Sequence, residues 1–96
     1  MPAIMVSTIV IHDADAFGDY LARSKEIAGR YGAELLFRGQ RRAALNGTAP
    51  EGPLIVIAKF PDAKAVDAWH SAPDYKDLIA LRDRASTQTM TVYDGL

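Results

Sequence analysis

The chain has 96 residues, enough for one domain of ordinary size but not for two, so we predict a single domain over residues 1–96. Its composition, 49% hydrophobic and 24% charged, is that of a folded globular protein, and the absence of cysteine excludes disulfides. Eleven Lys and Arg against twelve Asp and Glu give a formal charge of -1, which excludes the positive field that nucleic-acid binding requires. Without a signal-peptide pattern or an apolar run of ~18 residues, we predict a cytoplasmic protein with no membrane partner.

The first half of the chain begins with residues 3–11, a nearly unbroken run of apolar and β-branched side chains that predicts a strand. Asp13 is placed to cap a helix, because apolar residues then recur at three- and four-residue steps from Phe17 to Tyr31. We predict that this helix ends at Gly32, since glycine tolerates a left-handed conformation. Residues 33–38 predict a second strand, with a bend or bulge at Gly39.

The second half follows a polar loop over residues 46–53 and begins with residues 54–60, a third apolar strand. Pro61 and Asp62 start a helix that Pro73 interrupts. Ser71 and Asp74 then form a variant capping box, which predicts a second helical piece from there to about residue 85. The inner face of that piece comprises Tyr75, Leu78, Ile79 and Arg82. Residues 87–93 predict the fourth strand.

This order of elements predicts an α+β fold of ferredoxin-like βαββαβ type. Right-handed crossovers place both helices on one face of a four-stranded antiparallel sheet, which leaves the other face bare. Strands one and three are apolar at odd and even positions alike, whereas a sheet with one wet face should alternate. We therefore predict a homodimer through the open sheet face.

Several segments together resemble a known family. They are Phe17-Gly18-Asp19-Tyr20, the run from Tyr31 to Gly39, Phe60-Pro61-Asp62, Ala68-Trp69-His70-Ser71-Ala72-Pro73-Asp74-Tyr75 and Leu81-Arg82. Over nearly its whole length the chain is similar to the domain of unknown function 1330 family, within the dimeric α+β barrel group. The resemblance implies a ferredoxin-like subunit, sheet-to-sheet dimerisation and a cleft between sheet and helices, but no particular activity. Proteins of similar architecture include cofactor-free monooxygenases and isomerases, so fold analogy alone leaves the function open.

The chain lacks a cysteine nucleophile, a phosphate-binding glycine loop and a dinucleotide fingerprint. We therefore predict no cofactor. The candidate ligand-binding residues are a set of aromatic and cationic side chains, namely Tyr20, Arg38, Trp69, His70, Tyr75 and Arg82.

The two arginines have two interpretations. Arg38 ends an apolar strand, and Arg82 shares a helix face with Tyr75, so both guanidinium groups are expected to point inward. A ligand carboxylate or enolate would suit the two parallel donors of a guanidinium. Alternatively, the protein itself supplies the acid, the candidates being Asp74, Asp83, Glu34 and Glu51.

The aromatic candidates are equally open. Trp69 is either a core or dimer contact or a platform for stacking a ligand. The hydroxyls of Tyr20 and Tyr75 either bind a substrate or reach the surface. Histidine has an ordinary pKa near neutrality, which makes His70 a candidate general acid or base. Successive helix residues diverge by about 100°, however, so we expect His70 to be exposed and to pair with Asp74.

His12, Asp13 and Asp15 lie close together in sequence and raise the question of a metal. Strand alternation and a helix cap already account for them, and no third well-spaced ligand is visible, so we predict no bound metal.

Two hypotheses for the function remain. The first is a dimer that binds a small acidic or aromatic metabolite, with cofactor-free proton-transfer or oxygen chemistry as its enzymatic form. The second is a non-catalytic interaction or regulatory module without a small-molecule substrate.

Overall fold

The structure, a computed structural model, describes all of residues 1–96. Four strands form one sheet, and helical segments connect them in the order β1 (Ala3–Ile11), α1 (Ala14–Gly29), β2 (Glu34–Gln40), β3 (Leu54–Phe60), α2 (Ala63–Ser71), α3 (Pro73–Lys76), α4 (Ile79–Ala85) and β4 (Ser86–Asp94). The strand order is β2-β3-β1-β4, and every neighbouring pair is antiparallel. The predicted ferredoxin-like α+β fold is confirmed.

The inner face of the sheet packs against the helices. On β1 the odd-numbered residues from Ala3 to Ile9 are buried, and the even-numbered ones are only half-buried. Met5 and Ile9 join one apolar core with Phe17 and Trp69 from the helices. Although its sequence is apolar at nearly every position, β1 therefore contributes only alternate side chains to the core.

The outer face of the sheet carries the remaining side chains and has no helix on it. Register places Val6, Ile57 and Phe37 side by side across β1, β3 and β2. Phe37 is 57% exposed. We call this surface the outer face, and its side chains are Ile4, Val6, Thr8, Val10, Glu34, Phe37, Ile55, Ile57, Lys59, Thr87, Thr89, Thr91 and Tyr93.

The predicted cap at Asp13 is present, and Asp62, at the predicted start of α2, caps that helix in the same way. The Asp13 carboxylate accepts a hydrogen bond from the Ala16 amide at 3.1 Å, and the Asp62 carboxylate accepts one from the Ala65 amide at 2.8 Å. Each satisfies an amide that lacks a partner in the first turn. None of the helices combines the length and apolar character that crossing a bilayer requires.

Replacement of Asp62 by alanine should lower the free energy of unfolding by about 1 kcal/mol, because the first turn of α2 loses its side-chain acceptor. Asp67→Ala, an exposed carboxylate within the same helix, is the matched control and should change stability by less than about 0.5 kcal/mol. Urea denaturation of both variants measures the difference. Equal midpoints would show that the cap contributes nothing.

Two predicted helix boundaries are wrong. Helix α1 ends at Gly29 rather than Gly32, because the amides of Arg30, Tyr31 and Gly32 each bond three residues back and tighten the chain into a turn. Gly32 still has the left-handed conformation expected of it, with φ 82°. A Cβ there would lie 2.7 Å from the Cγ of Pro61, so glycine is needed for space as well as conformation.

The segment after Pro73 also differs from the prediction. Ala72 precedes α3 without a side-chain cap, so the expected capping box of Ser71 and Asp74 is absent. The second helical piece is divided into α3 and α4, because the Leu78 amide bonds to the Tyr75 carbonyl three residues back. This turn directs both Tyr75 and Leu78 into the core.

The predicted irregularity of the second strand occurs at another place. The β2–β3 register shifts between Leu35 and Phe37, so Leu36 is the extra residue of the bulge and Gly39 is paired normally with Ile55. A Cβ on Gly39 would lie 2.6 Å from the Phe37 ring. The glycine therefore gives the ring room to lie along the strand.

Candidate functional site

A cavity of about 280 Å³ lies between α1 and the inner face of the sheet. Its walls are mostly apolar, because the inward side chains of β1 and β3 form its floor and α1 forms its roof. Chemistry-bearing residues among its lining are Ser7, Tyr20, Ser24, Lys25, Arg38, Trp69 and Gln88. An apolar cavity with a few polar groups is typical of small-molecule sites.

The bulge in β2 decides which residue reaches this cavity. Beyond Leu36, Phe37 pairs with Ile57 on the outer face and Arg38 pairs with Val56 on the inner face. If Leu36 were paired with Ile57 instead of bulging, Phe37 and Arg38 would exchange faces, because strand side chains alternate. Arg38 therefore lines the cavity, as well as a second cavity of about 300 Å³ beside it.

The charged side chains that line the cavity, Lys25 and Arg38, are both cations. Both residues are exposed, and neither forms an ion pair with a carboxylate of the chain. They make the rim of the cavity positive although the whole chain has a net charge of -1. Lys25 is not among the candidates from sequence, because the periodicity of α1 gives no sign of the cavity.

Three of the candidate residues form a chain of hydrogen bonds behind the cavity wall. The hydroxyls of Tyr20 and Tyr75 are 2.8 Å apart, and the Arg82 guanidinium donates to the Tyr75 hydroxyl at 3.3 Å. Tyr20 lines the cavity, whereas Tyr75 and Arg82 lie behind it. Both tyrosine rings are buried, so their hydroxyls do not reach the surface.

Two side chains in this series of hydrogen bonds, Tyr20 and Arg82, have shifted pKa values. Desolvation, followed by the proximity of Tyr75, raises the pKa of Tyr20 far above its ordinary value, so its hydroxyl keeps its proton. Partial burial by itself lowers the pKa of Arg82, but hydrogen bonds to Tyr75 and Asp83 outweigh it and raise that pKa. The series of hydrogen bonds thus begins at a cation, Arg82, and ends at a neutral phenol, Tyr20.

Trp69 is the largest aromatic side chain in the cavity wall. It is 2% exposed, and its ring lies 4.4 Å from that of Tyr75 between centroids. Its indole N–H is buried and has no hydrogen-bond partner in the protein. Such a group costs roughly 1–3 kcal/mol when it stays unpaired, so an acceptor that came within reach of it would be stabilised.

A further polar network at the cavity floor was not predicted from sequence. The Ser7 hydroxyl donates to the Gln88 side-chain oxygen at 2.9 Å, and the Gln88 amide donates to the Ser86 hydroxyl at 3.0 Å. Ser86 in turn donates to the Arg82 carbonyl at 2.9 Å. Pairing of β1 with β4 brings Ser7 next to Gln88, which lies 81 positions away in sequence, so no local pattern reveals the network.

The remaining candidate, His70, is exposed as expected, but it does not line the cavity. Its ring packs on the outside of the aromatic cluster, 5.3 Å from Tyr75 between centroids. The expected pair with Asp74 is wrong, because Asp74 accepts a hydrogen bond from Arg30 at 2.9 Å. Arg30 begins the turn after α1, and this bond ties the end of α1 to α3.

The two arginines therefore differ in their surroundings. Arg82 pairs with Asp83 at 3.0 Å, one of the acids proposed from sequence. Arg38 has no acidic partner and lines the cavity. The two do not share one cleft, although the tyrosine pair links Arg82 to the cavity wall.

The residues considered for a metal have other roles. The His12 ring nitrogen Nε2 lies 2.7 Å from the Thr87 hydroxyl, and Asp13 caps α1. No group of three or more His, Cys, Asp or Glu side chains is close enough to hold a metal ion.

Comparison with family models gives a match over residues 2–96 to the family described as Domain of unknown function (DUF1330). The chain belongs to the DUF1330 family. The comparison with curated proteins gave no match.

Solved structures share the fold of this DUF1330 chain. A protein of unknown function from Rhodopseudomonas palustris has a TM-score of 0.80 and 19% identity, covering 99% of this chain and 82% of its own. A dimeric ferredoxin-like protein of unknown function from Jannaschia sp. CCS1 has a TM-score of 0.76 and 12% identity, with 99% and 100% covered.

SnoaB, a cofactor-independent oxygenase from Streptomyces nogalater, has a TM-score of 0.72 and 14% identity to the DUF1330 chain, with 99% and 93% covered. At these identities the likeness concerns the fold alone. The function of the DUF1330 chain therefore has to be argued from its own cavity.

Proposed function

We propose that the protein binds a small molecule with an apolar body and an anionic group in the cavity between α1 and the sheet. The observation that carries this proposal is that Lys25 and Arg38, the charged residues of the lining, are both unpaired cations. A carboxylate at the rim would pair with them, and the guanidinium of Arg38 offers two parallel donors. The apolar walls would take the rest of the ligand.

The cavity volume limits the size of the ligand. At about 280 Å³ the space is just below the range of ~300–1,000 Å³ typical of sites for drug-sized molecules. Trp69 and Phe60 provide aromatic surface, with ring centroids 5.5 Å apart. A compound with a single ring, such as a substituted benzoate or phenylacetate, therefore suits the site.

Cofactor-free catalysis on the same ligand is the enzymatic form of the proposal. The fold likeness to SnoaB, a cofactor-independent oxygenase, supports it by analogy. The buried donors Tyr20 and Trp69 support it chemically, because they would stabilise negative charge that develops on a ligand oxygen. Proton-transfer or oxygen chemistry on a phenolic or acidic compound is the reaction class that we favour.

The alternative of a non-catalytic interaction module agrees with part of the site. It expects arginines with internal partners, as Arg82 has in Asp83. It also expects a filled cleft, whereas the cavity is open and Arg38 is unpaired. These two observations favour the ligand-binding proposal.

We also propose that the protein works as a cytoplasmic homodimer that pairs through the outer face. Val6, Ile57 and Phe37 form a continuous apolar row there, and patches of this kind usually mark an interface. The ferredoxin-like protein from Jannaschia sp. CCS1 is described as dimeric. A symmetric pair would bury the same side chains of both copies.

The fluorescence of Trp69, the single tryptophan, tests ligand binding directly. Benzoate, phenylacetate and hexanoate are titrated against the wild type, with benzamide as the uncharged control. We expect a saturable change with at least one carboxylate and binding about tenfold weaker in Arg38→Gln, because a charge-assisted hydrogen bond at an exposed site is lost. Arg42→Gln, which removes the same charge from the neighbouring loop outside the cavity, should bind like the wild type.

Two results would contradict the binding proposal. One is a fluorescence that no carboxylate changes. The other is equal affinity of wild type, Arg38→Gln and Arg42→Gln for every carboxylate that binds, because the positive rim would then have no role in recognition.

A further inference from the structure

We propose that Arg82, Tyr75 and Tyr20 form a directional hydrogen-bond relay that presents the Tyr20 hydroxyl as a donor to a carbonyl or phenolate oxygen of the ligand. The inference rests on the proposed function, because the ligand is the one in the same cavity. It narrows the ligand class to compounds with an oxo or hydroxyl group on the apolar body. Arg82 is then a positioning residue that acts through two tyrosines.

The direction of the relay follows from its donors and acceptors. A guanidinium can only donate, so the Tyr75 oxygen is the acceptor in its 3.3 Å bond to Arg82. The Tyr75 proton then has two acceptors within reach, the Tyr20 oxygen at 2.8 Å and the Met90 sulfur at 3.8 Å. Oxygen at the shorter distance is the stronger acceptor. Tyr75 therefore donates to Tyr20, and the Tyr20 proton is left for an acceptor outside the relay, for which Ser24 is the competing side chain in the protein.

Tyr20, whose proton is not used within the relay, is the only member of the relay that lines the cavity. Burial keeps this hydroxyl protonated, which makes it a donor and not a base. Hydrogen bonds in a chain polarise one another, so the cation at Arg82 strengthens the donor at the far end. A ligand oxygen that carries negative charge gains most from this arrangement.

A second donor lies in the same wall. The unpaired indole N–H of Trp69 belongs to a residue that also lines the cavity and packs against Tyr75. Ser7 and Gln88 of the lining offer less, because they are bonded to each other. Tyr20 and Trp69, two buried donors of this wall, would therefore both gain from an acceptor oxygen on the ligand.

Ionisation of a bound phenol tests the relay. The probe is para-nitrophenol, whose colour reports the phenolate and whose binding is followed by the fluorescence of Trp69. We expect the ratio of bound phenolate to phenol at a given pH to be about tenfold higher in the wild type than in Tyr20→Phe, because a hydrogen bond to a charged group is lost. Arg82→Met should lower the ratio in the same direction. Arg84→Met, an exposed arginine on the same helix, should leave it unchanged.

A double-mutant cycle separates the relay from a general effect of charge. In a Tyr75→Phe background the relay is already broken, so adding Arg82→Met should change the ratio no further. Circular dichroism and urea denaturation confirm that each variant is folded. If Arg82→Met lowers the ratio equally in both backgrounds, Arg82 acts through space and the relay is overturned.

The remaining outcomes distinguish this inference from the proposed function. If the wild type binds benzoate but not para-nitrophenol, or ionises the probe no more than Tyr20→Phe does, the relay is wrong and carboxylate binding stands. If the wild type binds neither compound, the proposed function fails and the relay fails with it.

Discussion

Replacing Tyr75 by alanine is expected to lower the free energy of unfolding by about 3–5 kcal/mol, the largest change in stability that we predict for a single site. Tyr75 is fully buried, and its ring packs against those of Trp69 and Tyr20. Alanine would leave a cavity in this aromatic cluster and would deprive both Tyr20 and Arg82 of a hydrogen-bond partner. Domains of this size are stable by roughly 5–15 kcal/mol, so a large part of the total would be lost.

Urea denaturation of the wild type and three variants measures this effect. Tyr75→Phe keeps the ring and should lose about 1–2 kcal/mol, which isolates the contribution of the hydroxyl. Leu45→Ala, at a position that is 92% exposed, should change stability by less than about 0.5 kcal/mol. A loss of less than about 1 kcal/mol in Tyr75→Ala would show that the cluster is not part of the stabilising core.

Placing aspartate at Ile57 is expected to convert the proposed homodimer into a monomer. Ile57 lies between Val6 and Phe37 in the middle of the outer face. Symmetry would bury the new carboxylate once in each copy, without a partner. Each unpaired buried charge costs about 3–5 kcal/mol, so the dissociation constant should rise at least about 100-fold.

Light scattering after gel filtration gives the molar mass of each variant. Ala80→Asp introduces the same charge at an exposed position of α4 and should leave the mass of the dimer unchanged. Circular dichroism should show that Ile57→Asp is still folded. A wild type with the mass of one chain, or an Ile57→Asp variant with the mass of two, would refute dimerisation through the outer face.

Much of the fold could be predicted because its signals are local. The apolar runs predicted β1 and β3 with the bounds that the structure shows, and Asp13 and Asp62 predicted the starts of α1 and α2. In each case the side chains that determine the element lie within or beside it. The predicted boundary at Gly32 is wrong because α1 is followed by a tight turn. The periodicity of apolar residues does not show the hydrogen bonds of that turn.

The candidate site was less predictable because it depends on contacts between distant residues. Residue type and position in the sequence indicated Tyr20, Arg38 and Trp69, which do line the cavity. The hydrogen bond between Tyr20 and Tyr75 spans 55 positions, so neither residue alone reveals it. Lys25 was missed because a residue at the edge of the exposed side of a helix looks the same in sequence whether or not a cavity opens beside it.

The bulge at Leu36 makes β2 tolerant of a change in length, which matters for evolution and engineering. Insertions and deletions are usually tolerated at strand ends and in loops, where they change only the span of a connection. Loss of Leu36 would close the bulge and leave Phe37 opposite Ile57 and Arg38 opposite Val56, so both side chains would keep their faces. An extra residue inserted directly after Leu36 and paired with Ile57 would instead turn Phe37 towards the cavity and Arg38 onto the outer face. Homologous chains that lack one residue at the bulge are therefore expected to keep both surfaces, whereas chains of other lengths there are not.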